Sequence, residues 1–170
     1  MTAFRPALLL ILSTCAGIAF AGDLPEIPFK TQPNEGLLIG GQPDEAALRQ
    51  AAAAGVRVVV NLRSEGEQVE FDEGQLVTEL GMDYFWLPIA GAADLTPENV
   101  QTFDNILATI GDEPVLMHCG SGNRVGALFA LQAGMHRGME TEAAIELGRA
   151  HGLTKLEDAV RVRLEAAAAE

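Results

Sequence analysis

Apolar and polar residues fall in blocks along this chain, and the blocks switch between unbroken apolar runs and a three-to-four-residue period. Leu37–Ile39 is a short apolar run stopped by Gly40-Gly41 and predicts a strand. Pro43–Ala54 (PDEAALRQAAAA) has acids in its first turn and Gly55 just past its end, the punctuation of a helix. Val56–Leu62 (VRVVVNL) is β-branched and almost continuously apolar, which predicts a strand covered on both faces and central in its sheet. The polar run RSEGEQ leads into Glu70–Leu80, a helix with Val77 and Leu80 on one face and Gly81 at its end. Asp83–Pro88 (DYFWLP) predicts another strand and IAGAADL a loop. Thr96-Pro97 then gives an N-cap and a first-turn proline to a helix that buries Val100, Phe103, Leu107 and Ile110.

Pro114–His118 (PVLMH) is a short buried strand, and Arg124–His136 is apolar nearly all round, so that helix must be enclosed. Two helices, Thr141–Ala150 and Leu153 to about Ala167, close the chain. Strands alternating with helices predict an α/β three-layer sandwich: a mostly parallel central sheet of four to five strands with helices on both faces. Residues 22–36 hold three prolines and no period, and are expected to lie as an extended tail on the domain formed by residues 37–170.

The first 21 residues differ. One positive charge at Arg5, an apolar run from Ala7 to Leu12 and Ala19-Phe20-Ala21 before Gly22 have the layout of a secretory signal peptide with an A-x-A cleavage site. The run is too short to span a bilayer. Lipid attachment at Cys15, after Leu12-Ser13-Thr14, is the alternative. The expectation is a periplasmic or secreted protein with no stable membrane span once residues 1–21 are removed.

Charge and cysteine count narrow the function. Eleven Lys and Arg against 24 Asp and Glu give a formal charge of −13, and loss of the leader removes Arg5 and no acid. Such a field repels a polyanion, and aromatics at 5% offer few stacking platforms, so no nucleic-acid partner is expected. Leader removal also leaves Cys119 without a second cysteine, in a compartment where cysteines normally pair. An unpaired thiol there is either an inert core residue or a nucleophile.

The surroundings of Cys119 favour the nucleophile. A buried strand, the turn CGSGNR and a buried helix place it at the carboxyl edge of the sheet, where open α/β sheets bind ligands. Gly120, Ser121, Gly122 and Asn123 tolerate the tight backbone that turns successive N–H groups toward one centre as an anion nest. The following helix adds its positive end, and Arg124 a planar fork for two oxygens of a phosphoryl group. These groups favour the thiolate and define a nucleophile aimed at a bound tetrahedral anion.

The run His118-Cys119-Gly120-Ser121-Gly122-Asn123-Arg124-Val125-Gly126 resembles the His-Cys-x-x-Gly-x-x-Arg-[Ser/Thr]-Gly signature of cysteine-dependent protein tyrosine and dual-specificity phosphatases. The segments NEGLLIGGQP, GVRVVVNLRSEGE, YFWLPI and LTPENV are similar to the bacterial phosphatase-like domains named after beta-lactamase hydrolase-like proteins. The resemblance covers about residues 34–136. It implies the dual-specificity phosphatase fold, a catalytic Cys119, a phosphate-binding Arg124 and a general acid in the loop after Pro88, where Asp94 is the only carboxylate.

Two departures keep other chemistries open. Four residues separate Cys119 from Arg124 where the signature has five, the shorter cradle being that of rhodanese-like sulfurtransferases. Val125 stands where phosphatases carry the hydroxyl that bonds the departing thiolate. Sulfur transfer, or a catalytically silent oxyanion-binding module, are the alternatives to a cofactor-independent phosphatase acting on a phosphorylated protein or a small phosphomonoester.

Of the supporting residues, Arg63 points to the same sheet edge and either binds substrate oxyanions or pairs with a neighbouring glutamate. The acids at 65, 67, 70, 72 and 73 read as a solvated loop and helix start, with no histidine nearby to make a metal site. His118, on the opposite strand face from the thiol, is expected to bond loop carbonyls and hold the cradle.

Overall fold

The computed structural model describes residues 19–67 and 69–169, so the proposed leader lies outside the described residues except for its last three. The element order is β1 (Thr31–Asn34), β2 (Leu37–Gly40), α1 (Glu45–Ala53), β3 (Val58–Asn61), α2 (Glu73–Glu79), β4 (Asp83–Trp86), a single 3-10 turn (Ala92–Asp94), α3 (Pro97–Ile110), β5 (Val115–His118), α4 (Asn123–Arg137), α5 (Thr141–Ala150) and α6 (Glu157–Ala167).

The five strands form one sheet in the order β1-β2-β5-β3-β4, with β1 antiparallel to β2 and the remaining pairs parallel. Every residue of β2, β3 and β5 is buried, as continuous apolar runs demand when helices cover both faces. Alternation along the strands sorts the two cores. Leu38, Val59 and Leu116 face Leu48 of α1 and Val77 of α2. Ile39, Val60 and Met117 face Phe103 of α3, Leu128 of α4, Ile145 of α5 and Val160 of α6. The three-layer α/β sandwich is the architecture that the hydrophobic pattern predicts.

Two expectations are corrected. The Val56–Leu62 strand is interior but not central: β5 holds the middle of the sheet, between β2 and β3. Both segments are equally apolar, and apolarity reports burial, not order. The extended 22–36 segment is not only a tail on the domain, because Thr31–Asn34 joins the sheet as its edge strand and pairs with β2 through Thr31↔Ile39 and Asn34↔Leu37. Pro33 cannot donate to a ladder, which an edge strand tolerates. Ile27 of the same segment is buried against the α1 and α2 side of the sheet.

Three helix starts are set by side chains that accept the first free N–H groups. Asp44 accepts from Ala47 N–H at 2.7 Å, Asp72 from Gln75 N–H at 3.0 Å and Thr96 from Asn99 N–H at 3.3 Å. This puts the starts of α1 and α2 at Glu45 and Glu73, a little after the positions expected from composition.

Helix α4 is seated on α5 almost backbone to backbone. A Cβ added at Gly126 would lie 2.2 Å from the Leu153 nitrogen and 2.6 Å from the Gly148 oxygen. Gly126→Ala must therefore push the helices apart, and is expected to cost about 2–3 kcal/mol, as overpacking a tight core does. Urea unfolding measures this, and an unchanged midpoint would show that α4 and α5 separate without cost.

Candidate active site

The carboxyl end of β5 delivers the cysteine loop to the sheet edge. The Cys119 N–H donates to the Gly40 carbonyl at 3.2 Å, and the Leu62 N–H donates to the His118 carbonyl at 2.9 Å. The strand end is thus held by both neighbouring chains, and Cys119 is a buried free thiol. Gly41 backs the loop so closely that a Cβ there would sit 2.8 Å from the Gly120 oxygen. Gly122 takes the left-handed conformation at φ 80° and turns the chain into α4, whose N-terminus has no side-chain cap. Its first amides are left for an anion. The Asn123 side chain is engaged elsewhere. Its Oδ1 accepts from Thr154 N–H at 2.8 Å and Leu156 N–H at 3.3 Å, tying the start of α4 to the turn before α6. Ser121 is half-buried and Gly120 exposed, with the Arg124 Nη2 3.3 Å from where a Gly120 Cβ would stand.

Arg124 is largely buried and heavily held. Its Nη1 donates to the Ile89 carbonyl at 2.7 Å, to Glu67 Oε1 at 2.5 Å and, at 3.5 Å, to the Leu62 carbonyl. Its Nη2 donates to Glu67 Oε2 at 2.7 Å, which completes a bidentate clasp. This pairing with Glu67 raises the Arg124 pKa against the opposing effect of burial, and the Cys119 sulfur beside it adds to the rise. Glu67 is moved the other way: the Arg124 hydrogen bonds pull it down to about 2, against burial, with help from Ser64.

Glu67 is a component that sequence reading missed, since it stands among acids expected to be solvated. Ser64 donates to its Oε1 from N–H at 2.9 Å and from Oγ at 3.1 Å. Arg63 Nε approaches its Oε2 at 3.5 Å. Arg63 therefore sits behind the clasp, with its Nη1 on Gln42 Oε1 and its carbonyl accepting from the Trp86 indole at 2.7 Å. Because Glu67 has a depressed pKa in the fold, its stabilising effect is complete above the unfolded value near ~4.3 and is lost as pH falls toward about 2. Acid titration of wild type should therefore show a loss of stability in that window that Glu67→Gln lacks. Parallel curves for the two proteins would mean that the clasp contributes nothing to folding.

Asp94 closes the 3-10 turn, and its Oδ2 accepts from the Ala90 N–H at 2.6 Å. Its loop still joins the site, because the carbonyl of Ile89, the residue before Ala90 and five before Asp94, is an Arg124 acceptor. His118 lies on the face opposite Cys119. Its Nε2 is 2.6 Å from Glu73 Oε1, and its Nδ1 has no partner among the described residues, so the ring meets a carboxylate and not the loop carbonyls expected of it. Val125 is fully buried in the core, so the position after Arg124 carries packing and no hydroxyl. A cleft of about 450 Å³, lined by Arg63, Glu67, Tyr84 and Trp86 among others, opens beside the clasp. Among the described residues no group of His, Cys, Asp and Glu is arranged to hold a metal ion.

A cysteine at the end of a central parallel strand, a glycine loop and an arginine in the first turn of a buried helix define the class: a phosphatase-like domain with the cysteine-dependent phosphatase fold. The family model for the phosphatase-like domain of beta-lactamase hydrolase-like protein matches residues 31–135, and the chain belongs to that family. Beta-lactamase hydrolase-like protein of Xylella fastidiosa (strain Temecula1 / ATCC 700964) is 33% identical over 123 residues, which is 70% of this chain and 28% of that protein. The Agrobacterium fabrum (strain C58 / ATCC 33970) protein of the same name is 28% identical over the same shares. The match thus spans little more than a quarter of the length of these relatives. Among solved structures, a phosphatase-family protein (DUF442) from Shewanella putrefaciens CN-32 has 26% identity and a TM-score of 0.62, covering 82% of this chain and 93% of that one. A phosphatase-family protein from Neisseria meningitidis Z2491 has 26% identity and a TM-score of 0.63, covering 81% and 96%.

Proposed function

We propose that this domain is a cysteine-dependent phosphomonoester hydrolase of the protein tyrosine and dual-specificity type. The observation that carries the reading is the Cys119 thiol at the strand end with the Arg124 guanidinium clasped beside it. In the first step the Cys119 thiolate attacks phosphorus in line, the ester P–O bond breaks, and Asp94 gives its proton to the departing oxygen. In the second, water attacks the phosphocysteine, the S–P bond breaks, Asp94 takes the water proton, and thiolate and inorganic phosphate are regenerated. Arg124 and the amides of Gly120–Asn123 hold the phosphoryl oxygens in both. Asp94 must exchange its bond with Ala90 N–H for one with the substrate. The buried Val125 leaves Arg124 and the helix N-terminus to stabilise the departing thiolate. The substrate in this reading is a phosphorylated protein or a small phosphomonoester, and the signal-peptide-like layout of residues 1–21 supports work in the periplasm or outside the cell. Among the described residues no helix is long and apolar enough to cross a membrane.

The test is parallel incubation with an aryl phosphate and with thiosulfate plus cyanide. Release of phosphate is expected. Thiocyanate in its place would assign the four-residue loop to sulfur transfer, and neither product would leave an oxyanion-binding module.

A further inference from the structure

A single buried carboxylate outside the site is wired to both of its working groups. Glu73, in the first turn of α2, is 5% exposed, yet both oxygens are filled. Oε1 meets His118 Nε2 at 2.6 Å, while Oε2 accepts from Asn61 Nδ2 at 3.1 Å and Gln42 Nε2 at 3.0 Å. Asn61 and His118 are register partners on one rung of the sheet, and Gly40 completes that rung on the other side of His118. Glu73 therefore fastens the rung that presents Cys119. The network continues from Gln42, whose Oε1 accepts from Arg63 Nη1, through Arg63 Nε to Glu67 Oε2 at 3.5 Å, and so to Arg124.

Resting on the phosphatase reading above, we propose that Gln42 and Glu73 are positioning residues that lock the Cys119 strand end and the Arg124 guanidinium into one hydrogen-bonded frame. Gln42 is the joint. Its amide donates at one end to a carboxylate and accepts at the other from a guanidinium, a pairing that neither an acid nor a base can make at both ends. Burying the Glu73 carboxylate is tolerated because three donors fill it, and each of those donors belongs to a segment that ends at the site. Glu73 touches no reacting atom; it acts through His118 and through Gln42.

The frame is tested on the full-length chain without relying on turnover. Alkylation of Cys119 is followed by mass spectrometry of its peptide, with iodoacetate, an anion that Arg124 attracts, and neutral iodoacetamide. Wild type should prefer iodoacetate. Gln42→Met keeps the volume but cuts both bonds, and should lower that preference about 3- to 10-fold, the range expected of coupled polar contacts, with the iodoacetamide rate within about twofold. Glu73→Gln, which keeps an acceptor for His118 but turns a donor toward Asn61 and Gln42, should give a similar loss, and the double variant no more than either alone. Gln42→Glu, which keeps the acceptor and replaces the donor with a charge facing Glu73, should repeat the effect and serves if the methionine variant does not fold. An unchanged preference in a folded variant, losses that multiply in the double variant, or no preference in wild type would overturn the proposal. A general loosening would instead raise the iodoacetamide rate, which also counts against the frame. Absence of phosphate release from an aryl phosphate, with the alkylation pattern intact, would count against the hydrolase reading alone.

Discussion

Cys119→Ser is expected to cut phosphomonoester turnover on the order of 10⁴-fold or more, as loss of a covalent nucleophile does, while inorganic phosphate binds with little change. The serine fits the same buried position, and the backbone bonds that fix the strand end do not involve sulfur. The phosphate cradle of loop amides and Arg124 survives as well, so binding and chemistry should separate in this variant. Aryl phosphate hydrolysis and a phosphate titration measure the two. Turnover at the wild-type rate would make Cys119 a core residue and remove the phosphocysteine from the mechanism.

The second large effect is expected from Arg124→Lys, which keeps the charge yet should lose about 10²–10³-fold in activity, the size of a lost transition-state donor. The guanidinium reaches both Glu67 oxygens and the Ile89 carbonyl at the same time, and a single ammonium cannot span that set. Lysine would settle on Glu67 and withdraw from the phosphoryl site. The variant should also unfold at lower urea concentration, because the Ile89 carbonyl loses the Arg124 donor and Glu67 keeps only one of its two guanidinium bonds to that residue. Steady-state rates with an aryl phosphate decide the first point, and full activity would place Arg124 outside the reacting centre.

Much of this was legible in the sequence because local rules and burial agree there. Thr96-Pro97 announced the start of α3, PVLMH the buried β5, and the apolar α4 its own enclosure. The Cys119-to-Arg124 loop was legible for the same reason: a strand, a turn of small residues and a helix in sequence fix where the loop must lie. Three things were hidden. The order of strands was not readable, since β3 and β5 are equally apolar. The edge strand β1 was masked by Pro33 and its polar neighbours. The roles of Glu67 and Glu73 were lost in a run of acids that composition marks as surface. For Glu73 a signal existed: it falls three, four and seven residues before Leu76, Val77 and Leu80, on the buried stripe of α2, where a carboxylate needs partners. For Glu67 none did, because a loop has no period and its partner lies 57 residues away.

The near-contact of α4 with α5 through Gly126 and Gly148 has a consequence for how the site breathes. Amide hydrogens deep in α4 have no separate route to solvent, because that helix is surrounded by α3, α5, α6 and the sheet. Their deuterium exchange should track global unfolding, with the protection of the whole domain. The Ser64–Glu67 turn is held mainly by polar side-chain bonds at the surface, so its amides should exchange through small local openings. Cys119 and Arg124 are thus expected on a slow-exchanging unit and Glu67 on a much faster one. The Ile89 carbonyl should then keep the arginine fork anchored whenever the carboxylate turn opens, so that the clasp re-forms without refolding anything around it.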